Sequence, residues 1–200
     1  MPLLNLETKE LVIKIVYYGP ALGGKTTNLQ YLYNYISPKE RGEFIQMATE
    51  TERTLYFDYL PLDLEAVNDE YKVKMALYTV PGQVQYNRSR QMILQGVDAI
   101  VFVADSSRDR AQANVDSLLN MMDNLKSYDL ELKNLPWVLQ FNKRDLINTL
   151  PLEAMQTMLN TNFHFNVPAF ESIATEGKGV FAPLKTVSKL AIQAACQTAD

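Results

Sequence analysis

The sequence predicts a three-layer α/β domain on a mostly parallel, six-stranded sheet with one antiparallel edge strand. Three observations predict it. Short β-branched runs alternate with amphipathic stretches, the pattern of a parallel sheet covered on both faces. A glycine-rich stretch, Gly19-Pro20-Ala21-Leu22-Gly23-Gly24-Lys25-Thr26-Thr27, separates the first run from the first helical one. The 200 residues, 47% hydrophobic and 10% aromatic, suit one domain over 1–200 with a sizeable core. No internal repeat, low-complexity tract or linker divides the chain.

The elements follow in order. Leu11–Tyr18 is short, β-branched and aromatic, a buried strand. Thr27–Ile36 places Leu29, Leu32, Tyr33 and Ile36 on one helical face. The segment 37–54, charged and rich in breakers, has no periodicity, and a loop of that length is usually functional. Leu55–Ala66 and Val73–Val80 form a hairpin around Asn68-Asp69. Gln83–Gln95 is a short polar helix stopped by Gly96, and Ala99–Ala104 a fully buried strand. Asp109–Tyr128 repeats Val115, Leu118, Leu119, Met122 and Leu125 at helical spacing. Leu135–Phe141 is a strand, and Pro151–Asn160 a helix with proline in its first turn. Phe165–Phe170 is a short strand and Val180–Cys196 the last helix. In open sheets of this kind a ligand sits beyond the carboxyl ends of the strands, where every motif below falls.

The glycine stretch fits G-x-x-x-x-G-K-[ST], the phosphate-binding P-loop, with the strand before it and the helix after it that the chemistry needs. Gly19, Gly23 and Gly24 let backbone N–H groups wrap phosphate oxygens at the positive end of a helix, with Ala21, Leu22 and Thr27 completing the loop. Lys25 supplies a charge for the β- and γ-phosphates, and the Thr26 hydroxyl is placed for Mg²⁺. Asn142-Lys143-Arg144-Asp145 follows the strand ending at Phe141. A carboxylate at Asp145 accepts from N1–H and the exocyclic amine of guanine, a donor pair adenine lacks. The Lys143 stem can cover the base plane, and Asn142 ties this loop to the P-loop.

Together these motifs resemble those of the small GTPase superfamily, whose N-K-x-D element Asn142–Asp145 matches. Phe170-Glu171-Ser172-Ile173-Ala174-Thr175 resembles its weaker E-x-S-A-K base loop. Ile173 and Thr175 depart from that pattern, so only the backbone role of Ala174, an N–H toward the guanine carbonyl, carries over. In most Ras-like proteins the third strand ends in D-x-x-G; here it reads Thr79-Val80-Pro81-Gly82, followed by Gln83. With Gly23-Gly24-Lys25-Thr26-Thr27-Asn28-Leu29, this looks like the MglA family of prokaryotic Ras-like GTPases, over nearly the whole chain. The resemblance implies a small GTPase fold, GTP and GDP with Mg²⁺, and a role in cell polarity and gliding or pilus-driven motility. It implies polarity or motility effectors and an activating roadblock-domain partner, an MglB-like dimer. By the same resemblance Thr54 coordinates Mg²⁺ and the γ-phosphate, and Gly82 senses that phosphate. Arg53 acts as an arginine finger in cis, and Gln83 orients the attacking water. Ala21 replaces a glycine common in Ras proteins, and its methyl crowding Gln83 implies slow unassisted turnover. Thr79 argues for a nucleotide-holding scaffold with negligible turnover; Gln83 and Arg53 argue for hydrolysis.

Composition excludes other classes. A net charge of −4 leaves no nucleic-acid footprint or polybasic membrane patch. One cysteine, Cys196, points to a reducing compartment. No apolar h-region, spanning run, glycine after Met1 or prenylation box is present. The expectation is a cytoplasmic protein without a membrane anchor of its own, recruited to cell poles or motility complexes by partners. His164 has no ligand-like neighbours in sequence. Finally, Leu55, Phe57 and Tyr59 alternate on one face of the hairpin's first strand, and Leu60, Leu62 and Leu64 on the other. Polarity changes near Leu60 and Pro61 suits an edge or bulge, so this strand is expected to hold two registers, one for each nucleotide.

Overall fold

A computed structural model describes residues 3–5, 9–47, 57–67 and 71–197. Seven strands run in the order β3-β4-β5-β2-β6-β7-β8. They are β2 (Glu10–Tyr18), β3 (Ile45–Met47), β4 (Phe57–Val67), β5 (Tyr71–Thr79), β6 (Ala99–Asp105), β7 (Trp137–Asn142) and β8 (Ala169–Glu171). β1 (Leu3–Asn5) pairs antiparallel to the start of β2. Strands β5, β2, β6, β7 and β8 are mutually parallel; β4 runs antiparallel to β5, and β3 antiparallel to β4.

The α/β class is as the alternation predicts, and each of the six expected strands has a counterpart, though the one expected over 165–170 forms only as Ala169–Glu171, residues 165–168 being irregular. Two short strands add to them. β3 falls in a stretch read as loop, because three exposed residues are too few to show alternation. It makes β4 the penultimate strand rather than the edge. Pro61 is accommodated all the same, since its carbonyl accepts from Gly42 N–H (3.0 Å) and the missing donor faces that outer loop rather than β5.

Helices α1 (Lys25–Tyr35) and α5 (Phe181–Gln197) cover one face; α2 (Asn87–Leu94), α3 (Ala111–Lys126) and α4 (Leu152–Leu159) cover the other. Alternation along each strand divides the core. Ile13, Ile15, Tyr17, Val101 and Val103 meet Leu29, Leu32 and Val187, while Val16, Tyr18, Ile100 and Phe102 meet Leu94, Leu118 and Met155. Every residue of β6 and of β7 is buried, because helices cover both faces there. Leu29 and Leu32 anchor α1, and Tyr35, on the opposite side, is exposed and stacks on Tyr31 at 4.2 Å.

β4 holds one register against β5, with Tyr59 opposite Tyr78, Leu60 opposite Leu77 and Leu62 opposite Met75. A bulge follows between Leu64 and Val67. Leu60 and Leu62 are buried toward α1 and α5, whereas Phe57 packs with Tyr78 on the other face. The change of polarity seen in the sequence is thus a change in which face of β4 is covered.

Candidate nucleotide-binding site

The motif residues gather beyond the carboxyl ends of β2, β5, β6 and β7. Tyr18 ends β2, and the chain turns at Gly19, whose φ of 144° only glycine adopts readily. A Cβ there would lie 2.2 Å from Val103 O, so the loop rests directly on β6. Gly24, at φ 100°, opens α1 without a side-chain cap, leaving the first N–H groups of the helix facing the cleft. Lys25 is buried, and its Nζ donates to Gly19 O (3.0 Å) and Pro20 O (2.7 Å). Burial, helped by the Arg90 guanidinium and opposed by Asp58, pushes its ammonium down to about 7. Leu22, with φ 62°, is 84% exposed at the outer turn of the loop.

Asn142 joins the base loop to the P-loop. Its Nδ2 donates to Gly23 O at 2.9 Å, and its Oδ1 accepts from Ser172 Oγ at 3.1 Å and Ala174 N–H at 3.0 Å. One buried amide therefore holds three loops. The Ala174 N–H that the resemblance aims at the base donates to Asn142 Oδ1 in this arrangement. Lys143, at φ 66°, donates from Nζ to Asp105 Oδ2 at 2.7 Å, at the end of β6. Burial alone would raise the Asp105 carboxyl. The Lys143 ammonium and the N–H and hydroxyl of Ser107 outweigh it and hold the group below its usual range. Asp145 is exposed two residues beyond Lys143 along the loop, where its charge acts on Lys178.

Several residues were not legible as part of the site. Arg144 bonds Glu171 (3.0 Å) and Leu150 O (2.7 Å), bracing the two base loops against each other. Arg110 donates to Ala21 O at 2.9 Å. Arg90, buried in α2, donates to Pro81 O (2.8 Å), Gly82 O (2.6 Å) and Asn120 Oδ1 (2.6 Å). Its partners are neutral oxygens, so the turn after β5 is pinned by a buried guanidinium. The offset from Gly82 to one of two arginines, Arg88 and Arg90, in a polar helix was the signal, and it is a weak one.

Asp58 is the largest omission. This β4 carboxylate is 8% exposed and sits where the P-loop, β4 and β5 meet. Thr26 Oγ1 donates to its Oδ2 at 2.6 Å, Thr79 Oγ1 to the same atom at 2.8 Å, and Gln46 Nε2 to Oδ1 at 3.2 Å. An aspartate on the inward face of an apolar strand could have drawn notice, given that Thr79 is not acidic.

Lys25, Thr26, Gln46, Asp58 and Thr79 line a cleft of about 530 Å³ between the P-loop, β3, β4 and the Thr79–Gly82 turn, and the base loops lie outside its lining. Gly82 lies against the P-loop: a Cβ on it would be 2.2 Å from Ala21 Cα and 3.0 Å from the Ala21 methyl. Gln83, next in the chain, is exposed and accepts from Gln85 Nε2 at 3.0 Å. Arg53 and Thr54 lie outside the described residues. A second cavity, of about 480 Å³ beside Trp137, His164 and Phe165, holds none of the motif residues. The oxygen donors of Thr26 and Asp58, at a helix start beside a buried lysine, form a set that fits a hard divalent cation together with phosphate.

Comparison with known proteins agrees with this geometry. A model of the ADP-ribosylation factor family matches residues 3–190. The chain is 48% identical to the mutual gliding-motility protein MglA of Myxococcus xanthus (strain DK1622), over 192 residues and 96% of each chain. It is 23% identical over 185 residues to the Ras-related protein Rab-7a of Dictyostelium discoideum, covering 92% of this chain and 85% of that one. The chain belongs to the ADP-ribosylation factor family of Ras-like small GTPases and, within it, to the MglA group.

Proposed function

We propose that this GTPase uses the cleft described above to bind guanine nucleotide with Mg²⁺ and serves cell polarity and motility. The observation that carries the reading is the Asn142 amide, which locks the N-K-x-D loop onto the P-loop through Gly23 O. That bond sets phosphate and base recognition at a fixed separation, as one rigid ligand requires. Asp145 accepts from the guanine edge, Lys143 covers the base, and the Ala174 N–H lies nearby. Gly19, Ala21, Leu22, Gly23, Gly24 and Thr27 form the phosphate loop, with Lys25 charged against the β- and γ-phosphates.

Thr26 and Thr54 hold Mg²⁺, which when bound neutralises charge on the β- and γ-oxygens. Gln83 orients the attacking water and Arg53 stabilises charge on the transferring group, both acting on the transition state. Gly82 abuts Ala21, which sets the Thr79–Gln83 turn directly against the phosphate loop.

The M. xanthus relative is named for gliding motility, and the likeness supports the same use here. An activating partner of the roadblock type, polarity or motility effectors, and recruitment to cell poles belong to the same reading. Among the described residues no helix is long and apolar enough to cross a membrane. The test is single-turnover GTP hydrolysis with and without a roadblock-domain dimer. Slow hydrolysis accelerated by the dimer is expected. Turnover that the dimer leaves unchanged would remove the activating partner, and ATP competing equally with GTP would remove the base assignment.

A further inference from the structure

We propose that Asp58 supplies the carboxylate of the magnesium site, in place of an acidic residue at the end of β5. The inference rests on the cleft being a Mg²⁺–nucleotide site and assigns its anionic group.

A carboxylate as buried as Asp58 costs several kcal/mol unless its oxygens are satisfied. The strand around it is otherwise apolar on that face, with Leu60 and Leu62 both buried. Among the described residues its hydrogen-bond partners are two hydroxyls and an amide, and the buried Lys25 ammonium lies near enough to feel its charge without bonding to it. Such a group is kept for its charge, not for the stability of the strand.

The hydrogen bonds say where that charge acts. The Thr26 hydroxyl spends its only proton on Asp58 Oδ2, in a short 2.6 Å bond. Its lone pairs are then free to face the cleft. A hydroxyl that gives its proton to a carboxylate and its lone pair to a cation is a better ligand, because the outer partner raises its basicity and fixes its orientation. Mg²⁺ keeps several waters and takes one or two carboxylates besides phosphate oxygens, so a carboxylate one atom behind the inner ligand is in the right place.

Thr79 completes the argument. It occupies the β5 position where the resemblance leads one to expect an acid, and it is 3% exposed. Its hydroxyl donates to Asp58 Oδ2 at 2.8 Å and accepts from Asp58 N–H at 2.9 Å. The neighbouring strand thus presents the charge, and Thr79 clips it in position. One negative charge is retained, carried on β4 instead of β5.

The test measures release of fluorescent mant-GDP from the full-length protein as a function of free Mg²⁺, together with Mn²⁺ binding in the presence of GDP by electron paramagnetic resonance. Asp58→Asn should need about 10-fold or more free Mg²⁺ for half-maximal slowing of release, and bind Mn²⁺ correspondingly more weakly. Its release in EDTA should match wild type. Adding Thr79→Asp to Asp58→Asn should restore the Mg²⁺ midpoint by returning the charge to the adjacent strand. Thr79→Val keeps size and neutrality while removing the clip, and should raise the midpoint even if Asp58→Asn does not fold. An unchanged Mg²⁺ midpoint in Asp58→Asn, or in Thr79→Val where Asp58→Asn cannot be made, overturns the proposal. So does GDP release accelerated equally with and without Mg²⁺ and not rescued by Thr79→Asp, which would mark Asp58 as structural. Release from wild type that ignores Mg²⁺ altogether is a different failure, and would refute the Mg²⁺–nucleotide reading of the cleft itself.

Discussion

Replacing Asn142 by alanine tests whether the two recognition loops are one site or two. The substitution removes one acceptor and one donor that serve three loops: Gly23 O loses a donor at 2.9 Å, and Ser172 Oγ and Ala174 N–H lose an acceptor at 3.1 and 3.0 Å. Ser172, Ala174 and Asn142 are each no more than 3% exposed, so water does not readily replace the lost partners. An orphaned buried group costs about 1–3 kcal/mol. At the low end for each, the three sum to about 3 kcal/mol, roughly two powers of ten in an equilibrium constant. The same energy lowers the melting temperature by about 6–12 °C in a domain of this size. The assay pairs the rate of mant-GDP release with thermal unfolding of the nucleotide-loaded protein. Release should accelerate about 100-fold. A variant that melts lower but releases GDP at the wild-type rate would show that the strut supports the fold without joining the loops, and would refute the reasoning.

Four further outcomes are expected. Asp145→Asn should lose GTP affinity and gain xanthosine triphosphate, since the new amide donates to the extra carbonyl of xanthine; unchanged GTP affinity would move base recognition elsewhere. Arg53→Ala and Gln83→Leu should bind GTP nearly as wild type yet slow partner-stimulated hydrolysis, on the order of 10³-fold for the arginine, measured by single-turnover phosphate release. Asp105 has a depressed folded pKa, so its contribution is present above the unfolded value near 4 and lost as pH falls through the folded one. Asp105→Asn should therefore show a shallower loss of stability than wild type as pH drops below about 4, followed by urea midpoints. Cysteine pairs across β4 and β5 should crosslink in the register of Leu60 with Leu77 in one nucleotide state and two residues away in the other; one register in both states would leave loop ordering as the only switch.

The fold was legible because its signals are local. β6 and β7 are continuous apolar runs covered on both faces, and α1 follows a glycine loop that only one arrangement of strand and helix accommodates. The P-loop was legible for a similar reason, since backbone geometry at Gly19 and Gly24 demands glycine at fixed offsets, and the Asn142–Asp145 loop because its side chains fall in one run directly after a strand. Asp58 was not, because its role depends on a pairing between strands. Tyr59 faces Tyr78, so Asp58 falls beside Thr79, and that adjacency is a property of register, which alternation alone does not specify where both faces of a strand carry apolar residues. The same dependence gives the register a chemical consequence. A two-residue slide moves each β4 side chain about 6.6 Å along the strand. It would bring Tyr56 or Leu60 beside Thr79 and break the 2.8 Å bond that holds the carboxylate. The charge behind Thr26 would leave with it, so if β4 does slide, magnesium affinity and strand register must change together. The Mg²⁺ midpoint for GDP release, measured in proteins crosslinked in each register, should then differ by about the same 10-fold or more as between Asp58→Asn and wild type. Equal midpoints in the two crosslinked forms would mean that the carboxylate acts on the metal from both registers, and that the strand does not carry the site with it.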